Sequence, residues 1–237
     1  MGDIKLTEVK RILLESLQPL ADKYGYKISK GKFALIKKEK EQISVLQFIE
    51  NQWDDEVQIM PTVSVTVKEI SDIWQKFDPN IESDIYNTYW CDLLKLEYWF
   101  EDKYWNDFDA YDISRLSIHN YEEIPSIASK IQNLFELYAL PYINNFSNVE
   151  GVNKLMNSDP ENEGSSEYHP KESAWWHCPG FHIQSTVGLI AAKLAGDAIW
   201  YKKISDIYTQ KINKHKEEDT ISENAINRFF EIKKYLG

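Results

Sequence analysis

The chain has 237 residues, of which 43% are hydrophobic and 27% are charged, and its formal net charge is −11. This composition excludes disordered and collagen-like classes, and the length is sufficient for a sizeable core. The amino-terminal residues lack the apolar stretch of a signal peptide, and no apolar run reaches the length of a membrane span. Two cysteines are too few for a disulfide framework. We therefore expect a cytoplasmic protein that does not enter a membrane.

The negative charge is concentrated in one short segment. Residues 82–123 contain 11 acidic and 3 basic groups, which gives a net charge of −8. Nucleic-acid binding needs clustered lysine and arginine, so this distribution argues against DNA or RNA as a partner. It favours a basic protein partner or simply high solubility.

The amino-terminal third predicts a helix followed by strands. Apolar residues recur at spacings of three and four over residues 5–24, which is typical of an amphipathic helix. Gly25 is suited to its C-cap, and Pro19 is expected to kink its last turn. Two short strand-like runs follow, over residues 31–38 and 41–51.

The middle of the chain predicts further strands. Apolar and polar residues alternate over residues 56–68, which is the clearest strand pattern in the sequence. Pro61 within it indicates an edge strand or a bulge. We interpret residues 92–100, DLLKLEYWF, as another strand and residues 115–120 as a last one.

From residue 121 the periodicity becomes helical. Apolar positions over residues 124–138 predict a helix that Pro141 ends or bends, and two more helices are predicted over 183–213 and 221–236. The order of elements predicts an α+β protein with an N-terminal helix, an antiparallel sheet of about four or five strands and C-terminal helices packed on it. We expect a single domain over residues 1–237, rich in strands to residue 120 and helical from residue 121.

Residues 97–112, EYWFEDKYWNDFDAYD, interleave six carboxylates with aromatic rings. Aromatic anchors inside an acidic rim suit the docking of a protein rich in lysine or arginine. The same composition fits a glycosidase cleft, and it also fits a strand and loop with buried rings and solvated charges. The residues that we predict to contact a basic partner are Trp99, Asp102, Trp105, Asp107 and Asp109.

Residues 167–184, EYHPKESAWWHCPGFHIQ, hold three of the five histidines and one of the two cysteines. Zinc sites use spacings such as C-x2-C or H-x3-H, which this segment lacks. A cysteine nucleophile is the other open chemistry, with Cys178 activated by His182 or His119. The candidate metal or nucleophile residues are His169, His177, Cys178 and His182. We expect each of them to pack separately, so we predict no metal site and no cofactor.

Motifs of common enzymes are absent from the sequence, among them G-x-x-x-x-G-K-[ST], G-x-G-x-x-G, G-x-S-x-G and H-E-x-x-H. Their absence favours a protein without catalytic activity, although it does not remove the enzyme hypothesis.

Three segments carry a shared pattern of a leucine-rich helix, a Gly-aromatic turn, a strand ending in Trp and a Leu-Pro-aromatic helix step. They are LLESLQPLADKYGYKISKGKFAL, LLKLEYWFEDKYW and IQNLFELYALPYINNFSNVEGV. With these features the chain resembles an uncharacterised bacterial family that is known only as a domain of unknown function. The resemblance spans roughly residues 6–156. It implies an α+β fold with a curved antiparallel sheet, and it implies neither an activity nor functional residues.

The favoured hypothesis is a non-catalytic, cytoplasmic bacterial protein that binds a basic protein through its acidic aromatic face. Immunity proteins that neutralise basic toxin domains act in this way. The alternative is a metal- or cysteine-dependent hydrolase that uses residues 169–182. A purely structural role is a third possibility, and the sequence leaves the oligomeric state open.

Overall fold

The structure is a computed structural model of the chain, and it describes residues 4–53, 55–78, 88–101, 114–161 and 181–237. These residues confirm the predicted α+β class, with helices at the amino end, an antiparallel sheet and helices toward the carboxyl end. Within the described ranges, no helix combines the length and the apolar character that crossing a bilayer requires.

Two helices open the chain, α1 (Leu6–Ser16) and α2 (Gln18–Tyr24), where the sequence predicted a single helix. They separate at Leu17, which caps α2, and Pro19 lies in the first turn of the new helix. The pyrrolidine ring fits a first turn because no N–H is needed there. Gly25 ends α2 with a φ of 75°, in the left-handed region, so the predicted glycine C-cap is confirmed.

Six strands of the described residues form one sheet. They are β1 (Lys27–Ser29), β2 (Ala34–Lys38), β3 (Gln42–Gln52), β4 (Val57–Val67), β5 (Tyr89–Asp92) and β6 (Leu116–Ile118). Their order is β1-β2-β3-β4-β5, and β6 pairs with the beginning of β4. Antiparallel register places Ile36 opposite Val45 and Val57 opposite Ile118.

Strand β4 is an interior strand, so the edge-strand interpretation of Pro61 is wrong. The register with β6 ends at Ile59, and the missing N–H of Pro61 therefore falls beyond that pairing. Both faces of the second half of β4 are buried, because Thr62 and Thr66 are as inaccessible as the valines between them.

A helix replaces the strand that the sequence predicted over residues 92–100. After β5, helix α4 (Leu93–Phe100) begins at once. Leu93 and Leu96 are both fully buried, and their spacing of three places them on one face of a helix. A short apolar run of this kind does not distinguish a buried strand from a buried helix, which explains the error.

The helix that begins at α5 (Ile124–Leu134) does not end at Pro141. It passes through a π-helical turn (Phe135–Ala139) into α6 (Leu140–Phe146). In a regular α-helix the ring of Pro141 would clash with the carbonyl of Leu137. The wider π turn lies where that clash would occur, so the helix continues.

The remaining helices are α3 (Lys68–Gln75), α7 (Val149–Asn157), α8 (Phe181–Leu194), α9 (Ala198–Glu217) and α10 (Glu223–Leu236). The predicted helix over residues 183–213 is therefore two helices. Gly196 has a φ of 82°, and Asp197 caps α9 by accepting hydrogen bonds from the backbone N–H groups of Ile199 and Trp200 at 3.0 and 2.9 Å.

The chain divides into two compact units. Unit 1 comprises Met1–Val65 and Cys91–Asn144, and unit 2 comprises Thr66–Trp90 and Asn145–Gly237. In unit 1, α1 packs against α5 and α2 contacts β1. In unit 2, α8 is the central helix, since α3, α7, α9 and α10 all contact it. The single domain over residues 1–237 stays a prediction.

Candidate functional site

A buried carboxylate holds the beginning of helix α4 in unit 1. Asp92, the residue before the helix, is 5% exposed. Its Oδ2 accepts a hydrogen bond from Ser114 Oγ at 3.0 Å and lies 2.8 Å from the Nζ of Lys95, one turn along the helix. Charge-assisted bonds of this kind are short and directional. They fix the position of α4, and with it the position of its carboxyl end.

The carboxyl end of α4 contacts the π turn of residues 135–139. The rings of Phe100 and Tyr138 lie with their centroids 5.8 Å apart and their planes tilted by 37°. The Tyr138 hydroxyl donates a hydrogen bond to the carboxylate of Glu101. We call the group of Glu97, Phe100, Glu101, Leu137 and Tyr138 the α4/π surface.

The α4/π surface combines an exposed apolar side chain with negative charge. Leu137 is 64% exposed although both Phe135 and Ala139 beside it are buried. Glu97 is on α4 and Glu101 is the C-cap of that helix, four residues further on, so both lie on the same side of the helix end. The π turn therefore carries an exposed apolar side chain, and the residue after it contacts the ring of Phe100 and the carboxylate of Glu101.

A salt bridge neutralises the carboxylate at the other end of the π turn. Lys23 Nζ lies 3.0 Å from Glu136 Oε1. The hydrogen bond from Lys23 lowers the pKa of Glu136, and the same contact raises the pKa of Lys23. The charge of Glu136 is therefore balanced by Lys23.

The predicted contact residues lie next to this surface in the sequence. Trp99 is on α4, while Asp102, Trp105, Asp107 and Asp109 lie outside the described residues. Sequence reasoning missed Leu137 and Tyr138, which are far from the acidic segment along the chain. The sequence did contain one sign of Leu137: it is an apolar residue outside the spacing that defines the buried face of the helix.

The histidine- and cysteine-rich segment is described only at its end. His169, His177 and Cys178 lie outside the described residues, and His182 is half-buried in the first turn of α8. In the part of the chain that the structure describes, no three His, Cys, Asp or Glu side chains are grouped so that they could hold a metal ion. His119, the other base considered for Cys178, is exposed, with its Nε2 3.8 Å from Glu56 Oε2.

Cys91 is excluded as a nucleophile. Its side chain is buried in β5, and burial raises the pKa of the thiol well above its ordinary value. A thiol that stays protonated is a poor nucleophile, so Cys91 serves packing.

We expect the imidazole of His182 to make the protein less stable at acidic pH. Burial and the nearby Arg228 guanidinium lower the pKa of His182 below 6.5 in the folded state. The unfolded chain therefore takes up a proton first, and stability that is present above pH 6.5 is lost as the pH falls from there through the lowered pKa of the folded state. His182→Gln should reduce the difference between free energies of unfolding measured with urea at about pH 7.5 and about pH 5.5.

The control for this measurement is His119→Gln, at an exposed position in unit 1. It should leave the pH dependence as in the wild type. A His182→Gln variant with the wild-type pH dependence would contradict the assignment to His182.

Comparison of the chain with protein-family models, curated proteins and solved structures found no match. The resemblance to a bacterial family of unknown function stays a prediction.

Proposed function

We propose that this protein is a non-catalytic binding protein of the bacterial cytoplasm whose α4/π surface, with the acidic aromatic segment that follows it in sequence, docks a basic protein. The observation that supports this most is the exposed Leu137 on the π turn, directly before Tyr138, whose ring pairs with that of Phe100 and whose hydroxyl bonds the carboxylate of Glu101. Protein interfaces commonly have apolar and aromatic anchors at their centre and charged groups at their rim.

Charge supports a partner rich in lysine and arginine. The segment that contains α4 carries 11 acidic and 3 basic groups over residues 82–123. A field of one sign accelerates association with a partner of opposite charge, and salt weakens that effect. Neutralisation of a basic toxin domain, as by an immunity protein, is the concrete form of this proposal.

The proposal is tested by placing a photo-activatable side chain, p-benzoylphenylalanine, at position 137 and irradiating the protein in cell lysate. The matched control carries the same group at Ile199 in unit 2, which is 86% exposed. We expect a cross-linked protein of high isoelectric point from position 137, none from position 199, and loss of the product at high salt. An acidic cross-linked protein, equal products from both positions or a product insensitive to salt would contradict the proposal.

Once that partner is purified, Leu137→Ala should weaken its binding at least about tenfold, because an exposed anchor loses its apolar contact. The measurement is titration calorimetry, with thermal unfolding to verify that the variant is as stable as the wild type. Ile199→Ala removes an equally exposed apolar side chain and should leave the affinity unchanged. Equal affinities for all three proteins would remove Leu137 from the interface.

A further inference from the structure

Unit 2 contains a cleft of about 830 Å³ where the carboxyl ends of α8 and α10 meet the beginning of α9. This volume lies within the range of small-molecule sites. The charged side chains that line it are Lys193, Lys202, Lys233, Lys234, Asp197 and Asp206. Lysines outnumber carboxylates in this lining, although the chain as a whole is acidic.

The positions of three of the four lysines are explained by the stability of the helices that carry them. Lys193 is in the last turn of α8, and Lys233 and Lys234 are in the last turn of α10, where a cation interacts favourably with the helix dipole. Lys202 differs from them, because it lies in the second turn of α9, near the amino end of that helix. The helix dipole does not stabilise a cation near the amino end of a helix. An anion bound in the cleft would stabilise the charge of Lys202 there.

The two carboxylates of the lining offset only part of the charge of its four lysines. In the part of the chain that the structure describes, none of the four forms an ion pair. Lys193 Nζ lies 4.7 Å from the centroid of the Tyr201 ring, and Lys233 Nζ donates a hydrogen bond to Thr209 Oγ1 at 2.7 Å. Lys202 and Lys234 extend into solvent. Their charge is available to a ligand.

Hydroxyl groups and an aromatic ring complete the lining. Tyr201 and Ser205 are buried residues that face the cleft, and both can donate hydrogen bonds. Burial raises the pKa of Tyr201, so its hydroxyl keeps its proton and remains a donor. Phe230 adds apolar surface.

We propose that this cleft binds a small phosphate-bearing anion of about the size of a nucleotide. Lysine ammonium groups and hydroxyl donors are the groups that bind phosphate oxygens in proteins. The cleft is much larger than a phosphate group needs, and Phe230 offers a surface for the apolar part of a longer ligand. The proposal is independent of the α4/π surface, which belongs to unit 1.

Titration calorimetry of the full chain with three probes, ADP, pyrophosphate and citrate, tests the proposal. We expect ADP to bind more tightly than pyrophosphate, because it also contacts the apolar lining, and we expect citrate to bind most weakly. The absence of ADP binding, or citrate binding as tightly as pyrophosphate, would overturn the assignment to phosphate. Equal affinities for ADP and pyrophosphate would overturn the assignment of ligand size.

Variants show whether binding occurs in the cleft. K202Q/K234Q removes its two exposed lysines and should weaken ADP binding at least about tenfold. K203Q/K216Q changes the net charge equally at exposed lysines that do not line the cleft, and it should stay within about twofold of the wild type. Circular dichroism verifies that both are folded. An equal loss in the two variants would assign binding to general surface charge and overturn the proposal.

Discussion

Replacement of Gly188 by alanine in α8 is expected to lower the free energy of unfolding by about 2 kcal/mol. A Cβ at this position would lie 2.4 Å from Asn157 Oδ1 and 2.9 Å from the hydroxyl oxygen of Tyr208. Alanine in place of glycine inside a helix would by itself gain about 1 kcal/mol. The steric contact with Asn157 must therefore cost more free energy than the helix propensity of alanine gains. It does so because Asn157 cannot move away.

Hydrogen bonds hold the amide of Asn157 in place. The residue is 2% exposed, and its Nδ2 donates to Asn153 Oδ1 at 2.7 Å and to the carbonyl oxygen of Gly188 at 2.9 Å. Its Oδ1 accepts from the Tyr208 hydroxyl at 2.7 Å. Displacing this amide would break bonds between groups that have no access to water, which costs more than breaking bonds at the surface.

Urea denaturation of Gly188→Ala, Asn157→Ala and the double variant tests this account. Asn157→Ala is destabilising by itself, but it removes the atom closest to the new Cβ. The double variant should therefore lose less stability than the sum of the two single variants. Gly31→Ala is the control, since nothing lies within 4 Å of a Cβ there, and it should change stability by less than about 0.5 kcal/mol. Additive losses would show that the close contact is not the cause.

Lys95→Met is expected to cost about 2–3 kcal/mol, because it leaves the carboxylate of Asp92 buried without its cation. Asp92 is 5% exposed and the side chain of Lys95 is 24% exposed, so water cannot replace the ammonium group well. The other oxygen, Oδ1, is buried and has no hydrogen-bond partner among the described residues. Among the described residues, only Ser114 would then bond the carboxylate.

Comparison with a surface pair separates this effect from loss of charge. Lys40→Met removes the partner of Glu41, where both side chains are exposed, and it should cost less than about 0.5 kcal/mol. Adding Asp92→Asn to Lys95→Met removes the unpaired charge and should restore part of the stability. If urea denaturation shows the same loss of stability for Lys40→Met and Lys95→Met, the burial of Asp92 does not cause the effect. If Asp92→Asn restores nothing, the loss comes from packing of the lysine stem.

Periodicity predicted most of the fold, and its errors have physical causes. The strands around β4 follow from clear alternation, and α5 follows from apolar spacing. Helix α4 was missed because Leu93 and Leu96 fit a buried strand or a buried helix equally well until their partners are known. The division between α8 and α9 was missed because apolar residues continue on both sides of Gly196 and Asp197, the pair that ends α8 and caps α9.

The candidate sites were less predictable, because they depend on contacts between distant segments. Glu97 and Glu101 belong to a segment whose composition marked it from the sequence alone. Tyr138 meets Glu101 only through the packing of α4 on the π turn, and no local pattern indicates that meeting. Lys193 and Lys233 lie near the ends of two different helices, so their approach to one cleft also depends on contacts between distant segments.

Both units are discontinuous in sequence, and this has a consequence for how the chain is made. Unit 1 is complete once residue 144 has left the ribosome, so it can fold while the remaining helices are still being synthesised. Helix α3 leaves the ribosome earlier but belongs to unit 2, and it packs on α8, which begins at Phe181. Its Trp74 is buried in the finished protein and has the guanidinium of Arg228, from α10, over its ring. During translation the buried face of α3, which includes Ile70 and Trp74, therefore stays without the helix it packs on until α8 has been synthesised.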